Sequence, residues 1–492
     1  MLPTPLAFGE EMFMKIGRLV LLPTLMLLCL PLHARAGGFE IPGWGSRAMS
    51  RGSAFAVLAD DLTAVQYNPG GLSRQSGTHI LLNHNTMWMP ATFTRAPSVM
   101  DLKGGATPDG TNPLAPASNQ NELFALGGAL MLSSDLGSED WHFALSISGP
   151  NSFGGRKFPV QGGQRYMLTE TELLLIYYGA SAAYGKKDSY GIGLTAAYVD
   201  VPISKFSMVV DGTPAPGQPT PYYNHYDQEN TLDLTDHLSW TLIAGAWWRI
   251  VPELEVGISG RLVPINLDLK GDVKLQDIPG QVIPAKVTGQ NLKAELDLIM
   301  PPTLNAGFRY RHLSESREVF DIELNYVYEA WSMLKAYDVS VSGSVNIGAP
   351  INSDIDVQSL TIDKRWKDTH SVRLGGTWNA VEDVFSVSMG GFWESAAVPL
   401  NYTNIDFMSF QRMGLGGGFR WSFSGVDLNV AYMFVHQEDR TVTEKNGKVF
   451  QVRPLFPCSE GNNCAGLTGV PANAGKLESA YHQLNASVGY HF

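Results

Sequence analysis

His482-Gln-Leu-Asn-Ala-Ser-Val-Gly-Tyr-His-Phe492 ends the chain, and its side chains alternate in character along its whole length. Every second residue from Leu484 to Phe492 is apolar, and the residues between them, from Gln483 to His491, are polar or small. A strand of a transmembrane barrel has this period, because one face meets lipid and the other a polar lumen. The stretch predicts an all-β fold, a transmembrane antiparallel β-barrel.

The same two-residue period recurs upstream, first in 426–434 and 413–421 and then along most of the chain. We count about fourteen strands, an even number, as single-chain bacterial barrels have. The predicted strands lie near 78–89, 122–133, 140–150, 168–183, 189–203, 238–249, 255–265, 298–310, 318–328, 367–379, 384–395, 412–422, 426–437 and 481–492.

The connections between these strands alternate in length. Short ones at 185–188, 250–253 and 380–383 are predicted as periplasmic turns, and long ones near 90–121, 204–237, 266–297, 331–366 and 438–480 as extracellular loops. A soluble β-sandwich is the alternative, but it explains neither this asymmetry nor the aromatic residues at strand ends, among them Trp88, Trp247, Trp378 and Trp421.

Composition agrees with a barrel and excludes one class of partner. Of 492 residues, 44% are hydrophobic and only 17% charged, yet no mature segment is apolar enough for a spanning helix. The formal net charge of -12 argues against nucleic-acid binding, which needs a concentrated basic surface.

The apolar run from Leu19 to Leu32 follows Lys15 and Arg18 and precedes Ala34-Arg-Ala36, the arrangement of a secretory signal peptide. A membrane anchor is the weaker alternative, because the run is short of the roughly 20 residues that span a bilayer. We therefore predict three parts: a signal peptide over 1–36, an N-terminal segment over 37–77 and the barrel over 78–492.

Two cysteines remain after cleavage, Cys458 and Cys464, six positions apart in a stretch rich in Gly and Asn. In an exported chain this spacing predicts a local disulfide. A metal site would need further ligands at close spacing, and the sequence offers none.

The segment 37–77 lacks strand alternation and precedes the first strand, so it can fold inside the barrel. A loose periplasmic tail is the alternative. Against a tail, the segment carries apolar anchors at Ile41, Trp44, Phe55, Val57 and Leu58.

Part of this segment, Ala59-Asp-Asp-Leu-Thr-Ala-Val-Gln-Tyr-Asn-Pro-Gly70, resembles the hatch of the FadL/TodX family of outer-membrane transporters for fatty acids and hydrocarbons, with Gly70 in place of the family's alanine. Further similarity follows in the expected order at 190–198, 300–303, 331–332, 366–375 and 392–399.

The resemblance implies a fourteen-stranded barrel in a Gram-negative outer membrane, plugged by the N-terminal hatch. Asn68, Pro69 and Gly70 would form the turn that fixes the hatch, with Phe39 and Ile41 as further hatch residues. The family also implies passage through a gap in the wall at a kinked third strand. Gly149-Pro150 falls there, although an ordinary strand end explains it too.

Uptake of long-chain fatty acids or of aromatic or aliphatic hydrocarbons is the function that the resemblance implies. We expect apolar residues of the long loops to capture the substrate, and a cation to bind the carboxylate if the substrate is a fatty acid. Alternatively, the apolar residues form the core of the loops, and the cations lie on the solvated surface. The predicted apolar residues are Phe206, Met208, Val209, Val210, Ile278, Val282 and Ile283, and the predicted cations are Lys205 and Lys367.

Other functions fit less well. The eleven histidines form no close cluster and no nucleophile elbow is present, so we predict no enzyme, catalytic residue, metal or cofactor. An outer-membrane phospholipase needs a Ser-His pair, and His482 near Ser479 is the nearest candidate. A general porin would have a charged constriction in its lumen and no hatch, and the segment 37–77 argues against it. Expected partners are the hydrophobic substrate, outer-membrane lipid, lipopolysaccharide and the barrel-assembly machinery, which would engage the strand ending in Phe492; we expect a monomer.

Overall fold

The computed structural model describes residues 40–97, 112, 114–121, 123–149, 155–211, 227–280, 287–348, 352–357, 359–452 and 471–492. Within these ranges no helix is long and apolar enough to cross a membrane. Several predictions fall outside them and stay predictions: the signal peptide 1–36, Phe39, Pro150, Val282, Ile283, and the disulfide between Cys458 and Cys464.

Fourteen antiparallel strands form a closed barrel in the described part of the chain, which confirms the fold and the strand count. Four short strands extend it: Ala91–Arg95, Ala117–Ser118, Arg156–Lys157 and Arg440–Val442. The barrel strands are β1 Thr78–Trp88, β2 Leu123–Ser134, β3 Trp141–Ser148, β4 Glu170–Lys186, β5 Tyr190–Asp211, β6 Asp227–Val251, β7 Leu254–Arg261 with Ile265–Asp277, β8 Val287–Met300 with Thr303–Ser314, β9 Arg317–Glu329 with Ala336–Ile347, β10 Ser353–Asp356, Leu360–Asp363 and Thr369–Val381, β11 Phe385–Glu394, β12 Arg412–Phe423, β13 Val426–Gln437 and β14 Gly475–His491.

The last strand closes the barrel against the first. Ile80 of β1 lies opposite Tyr490 of β14, and the ladder continues to Trp88 opposite His482. On β14 the alternation that the sequence shows is also the alternation of burial: Leu484 is 52% exposed on the outer face, whereas Gln483 is fully buried in the lumen. Closure leaves no free sheet edge in the hydrocarbon layer, where unpaired backbone groups are costly.

Three of the predicted long loops are wrong over much of their length. In the described residues, strands β5 to β10 continue into 204–237, 266–297 and 331–366, where β5 pairs with β6, β7 with β8 and β9 with β10. Their polarity is reversed there: Leu267 and Leu269 point inward and are buried, whereas Asp268 and Lys270 are exposed. This reversed pattern, with apolar residues inward and charges outward, is that of a strand beyond the membrane, in contact with water.

The N-terminal segment contains two short helices, α1 Ser46–Ser50 and α2 Ala64–Tyr67, and a 3-10 helix, Pro69–Arg74. Most of its side chains are buried although each helix is too short to have a core of its own. They pack against inward-facing residues of the barrel strands, so this segment occupies the lumen.

Candidate functional site

A large cluster of buried apolar side chains lies on the inner faces of strands β4 to β9; we call it the apolar chamber. Inward-facing residues of β4 to β9 form its walls, and residues from the connections at 158–168 and 397–410 enter it. Aromatic rings supply much of its surface: Phe158, Tyr166, Tyr177, Trp331, Tyr337, Trp366, Phe407 and Phe410.

The structure brings only part of the predicted capture set to this chamber. Val209 and Ile278 belong to it and Phe206 packs against it, with its ring 5.8 Å from that of Phe407. Met208 and Val210 are not among its described members. The four predicted residues between 206 and 210 lie on strand β5 instead of in a loop, because the hairpin of β5 and β6 continues above the membrane.

Neither predicted cation enters the chamber as a free charge. Lys205 pairs with Glu170 at 2.7 Å near the protein surface. Lys367 is half-buried at the edge of the chamber, where its backbone N–H donates to the carbonyl of Ala397 at 3.0 Å.

Three charged residues that the sequence did not single out meet beside the chamber instead. Lys364 forms a buried ion pair with Asp406, and its ammonium lies 4.2 Å from the centre of the Tyr337 ring. Burial lowers the pKa of Lys364, and the Asp406 carboxylate opposes this shift without cancelling it.

Arg156 approaches the same place from the other side. Its guanidinium donates to the backbone carbonyl of Asp406 at 2.6 Å and is only 7% exposed. Among the described residues no carboxylate pairs with it, and its Nε has no acceptor. A buried guanidinium without a counter-ion is costly, so Arg156 can hold an acidic group.

A sequence signal for this site exists in retrospect. Asp406 lies within Ile405-Asp-Phe-Met-Ser-Phe410, where an acidic residue interrupts an apolar run. A charge in such a run is rarely left buried without a partner. The local sequence does not show which residues are its partners, because they lie 42 and 250 residues away.

Below the chamber, the hatch is fixed to the barrel wall by buried charges. Arg51 forms a bidentate pair with Asp321 of β9 at 2.8 and 2.7 Å and donates to Thr377. On the same strand, Glu323 accepts from the backbone N–H groups of Val57 and Leu58 at 2.8 and 3.1 Å.

Asn68 joins the hatch to another part of the wall. Its amide donates to the carbonyl of Ala246 on β6 at 3.0 Å and to that of Ala56 within the hatch at 2.7 Å. The amide oxygen accepts from the N–H of Gly70, so it closes the predicted turn and does not bind the wall. Gly245 makes room for this contact, because a Cβ there would lie 2.1 Å from the Asn68 oxygen.

Among the described residues, the ladder along β4 is interrupted above the third strand. β3 ends at Ser148, which pairs with Ala129 of β2 and Tyr177 of β4. Between Thr171 and Tyr177, β4 has no described strand partner on this side. The hatch reaches this point, since the Trp44 indole donates to the carbonyl of Gly149 at 3.0 Å.

The described residues include no group of three or more His, Cys, Asp or Glu that could hold a metal ion. The chamber offers apolar walls, two buried ion pairs, Lys364–Asp406 and Arg165–Asp227, and one buried guanidinium without a described carboxylate, that of Arg156.

Comparisons with known proteins agree with this arrangement. The profile of the family described as outer membrane protein transport protein (OMPP1/FadL/TodX) matches residues 27–468. A search of curated proteins finds no match.

Solved structures show the same fold at low sequence identity. A Pseudomonas aeruginosa FadL homologue is 15% identical and superposes with a TM-score of 0.71, over 93% of this chain and 100% of that chain. The Ralstonia pickettii toluene transporter TbuX is 13% identical, with a TM-score of 0.61 over 92% and 100%. The P. putida toluene transporter TodX is 12% identical, with a TM-score of 0.64 over 92% and 99%.

Proposed function

Since this chain belongs to the OMPP1/FadL/TodX family of outer membrane transport proteins, we propose that it takes up hydrophobic molecules with an acidic head group, namely fatty acids. The observation that carries this choice of substrate is Arg156, a buried guanidinium without a described carboxylate partner at the edge of the apolar chamber.

The chamber supplies the affinity. Burying a methylene group stabilises a complex by about 0.8 kcal/mol, so an alkyl chain gains enough from apolar walls alone. The chamber is lined with aromatic and aliphatic side chains, and its described interior charges are few. The alkyl chain of a fatty acid would lie among these side chains.

Arg156 supplies the selectivity. Lys364 is already neutralised by Asp406, and Arg165 by Asp227, so neither demands a further anion. Arg156 is left with a backbone carbonyl as its described acceptor. A carboxylate placed there would receive charge-assisted hydrogen bonds, which are about twice as strong as neutral ones.

Release then occurs sideways. The hatch closes the lumen below the chamber, with ion pairs that a passing substrate would have to break. The part of β4 without a described partner carries Leu173 and Leu175 of the chamber. Trp44 and Gln66 of the hatch bind Gly149 and Ser148 at its lower end, and the cargo would leave between β3 and β4. A hydrophobic molecule that leaves there enters the bilayer without crossing water.

Hydrocarbon uptake is the second candidate. TbuX and TodX are toluene transporters of similar fold, and an apolar chamber accepts a neutral molecule equally well. The two candidates differ only in whether Arg156 is needed.

Arg156→Met tests this difference, because methionine keeps the apolar volume and removes the charge. We expect the Kd of a C16 fatty acid, measured by calorimetry in detergent, to rise about 10- to 100-fold, the effect of losing a hydrogen bond to a charged group worth about 1.5–3 kcal/mol. Binding of hexadecane should not change.

Lys157→Met is the matched control, since Lys157 is the next residue and its side chain is exposed. It should leave both affinities unchanged. If Arg156→Met leaves fatty-acid binding intact, or weakens the binding of hexadecane as much, the acidic head group is not recognised here and hydrocarbon uptake becomes the better account.

A further inference from the structure

A second discontinuity lies in the wall on strands β6 to β8, away from the third strand. β7 is interrupted between Arg261 and Ile265, and its neighbour β8 between Met300 and Thr303. Pro264, Pro301 and Pro302 occupy these interruptions. Proline has no N–H to donate to a ladder, so backbone pairing fails there on both strands.

On its other side, the ladder of β7 is interrupted over a longer stretch, with one backbone bond from the N–H of Leu262 to the carbonyl of Leu242 at 2.8 Å. Its ladder with β6 ends where Arg261 lies opposite Ile243 and resumes where Lys270 lies opposite Thr235. Side chains bridge the interval: the hydroxyls of Ser239 and Thr241 on β6 donate to backbone carbonyls of Asn266 and Val263 at 2.5 and 2.6 Å.

A cavity of about 130 Å³ lies on the inner side of this discontinuity. It adjoins the hatch at Trp44 and Tyr67 and the apolar chamber at Tyr177, which lines both. On the wall side it is lined by Ile243 of β6, Arg261 of β7, and Thr303 and Asn305 of β8.

A groove of about 640 Å³ lies on the outer side, against the bilayer. Small residues form its floor, among them Ala244, Ala246 and Gly260, and large apolar ones such as Leu194 and Leu304 flank it. Apolar side chains continue from it along the interrupted stretch, where Leu238 is 89% exposed.

The cavity and the groove are two faces of one thin piece of wall. Adjacent residues line them on each strand: Ile243 and Ala244, Arg261 and Gly260, Thr303 and Leu304. At Gly260 the wall consists of backbone alone. A side chain would not fit there, because a Cβ would lie 2.0 Å from the Thr303 carbonyl oxygen.

Arg261 covers the discontinuity from inside. Its guanidinium pairs with Glu40 of the hatch at 2.6 Å and donates to the carbonyl of Pro301 at 3.3 Å. The bond to Pro301 joins β7 to β8 where the backbone ladder between them is interrupted. Movement of Glu40 would free Arg261, and a carboxylate could then take the place of Glu40 on the guanidinium.

We propose that this discontinuity is a second lateral passage, through which the alkyl chain of the cargo moves from the cavity beside Arg261 into the outer groove. The proposal rests on the uptake proposed above. The occupant of the groove is the cargo and not a bilayer lipid, because adjacent residues on three strands line the groove and the cavity, and Tyr177 of the chamber lines that same cavity.

The test uses the full-length protein in phospholipid vesicles and a fatty acid with a diazirine at the end of its chain. We expect light to cross-link this probe to 242–262 and 301–306, located by peptide mass spectrometry. Ala244→Phe fills the groove from the lipid side and should abolish this labelling. It should also slow transfer of fatty acid into the vesicle membrane several-fold.

Ala486→Phe on β14 is the matched control, an outward-facing alanine outside the groove. Its labelling and its rate of fatty-acid transfer should equal those of the unchanged protein. Both variants should keep the gel mobility of a folded barrel. Two results would refute the second passage: Ala244→Phe transfers fatty acid as fast as Ala486→Phe, or a diazirine phospholipid labels the groove and the fatty acid does not. Neither result would contradict the fatty-acid uptake proposed above. If the unchanged protein transfers no fatty acid, both proposals are wrong.

Discussion

Single residues decide how firmly the hatch is held, and Asn68 shows this most clearly. One side chain satisfies the carbonyls of Ala246 and Ala56 and the N–H of Gly70. Truncation would remove all three hydrogen bonds, each of which contributes about 0.5–1.5 kcal/mol. The loss falls on the position of the hatch, because the ladders of the barrel do not involve Asn68.

We therefore expect Asn68→Ala to fold normally and to reduce the rate of hydrophobic uptake, since the hatch no longer keeps the route from the chamber to the wall in one arrangement. Uptake of radiolabelled fatty acid by cells with equal amounts of outer-membrane protein measures this. Asn68→Asp keeps the acceptor for Gly70 and loses both donors, so it should be impaired as well. If Asn68→Asp keeps full activity, uptake needs only the bond from Asn68 to Gly70 that closes the turn, and not the bonds that the amide donates to Ala56 and Ala246.

At the scale of elements, the hatch depends on the barrel for its structure. Its helices are four to six residues long and make their main bonds to the wall, through Arg51 to Asp321 and Arg74 to Glu255. Many wall residues that contact it carry charged or amide side chains, among them Asp321, Glu323 and Asn325. Without the hatch, these side chains would line a hydrated channel.

Deletion of residues 37–77, placed behind the same signal sequence, should convert a closed protein into one that conducts ions. Single-channel recording in a planar bilayer is the measurement, with the intact protein as the reference. Steady conductance by the intact protein, or none after the deletion, would show that this segment does not plug the lumen.

At the scale of the whole molecule, stability comes from closure. Each barrel strand is hydrogen-bonded to neighbours on both sides, and β1 and β14 complete the ring over the register from His79 to Trp88. Unfolding a part of such a ring exposes backbone groups to lipid, which makes opening costly and slow.

The purified protein in detergent should consequently migrate faster on a gel before boiling than after it, and show a β-sheet circular dichroism spectrum. The boiled sample of the same preparation is the control. A single mobility under both conditions would contradict a stable closed barrel. A contact of the C-terminal strand with the assembly machinery, the disulfide and the monomeric state stay predictions.

The sequence by itself determined the membrane-embedded barrel and its strand count, because lipid on one face and water on the other impose a two-residue period on each strand. It also placed the first strand at residue 78 and the turn at Asn68. Above the membrane the two-residue period continues with its faces reversed, since Leu267 points inward and Asp268 outward, and there the prediction of a loop was wrong.

Only the tertiary structure decided where the charges meet. Arg156, Lys364 and Asp406 converge on one point of the chamber although 250 residues separate the first from the last. Likewise, the interruptions of β7 and β8 form one discontinuity only because the strands are paired in a particular register. Local sequence patterns report which face of a strand meets lipid, whereas the barrel's closure and register decide which distant side chains share the lumen.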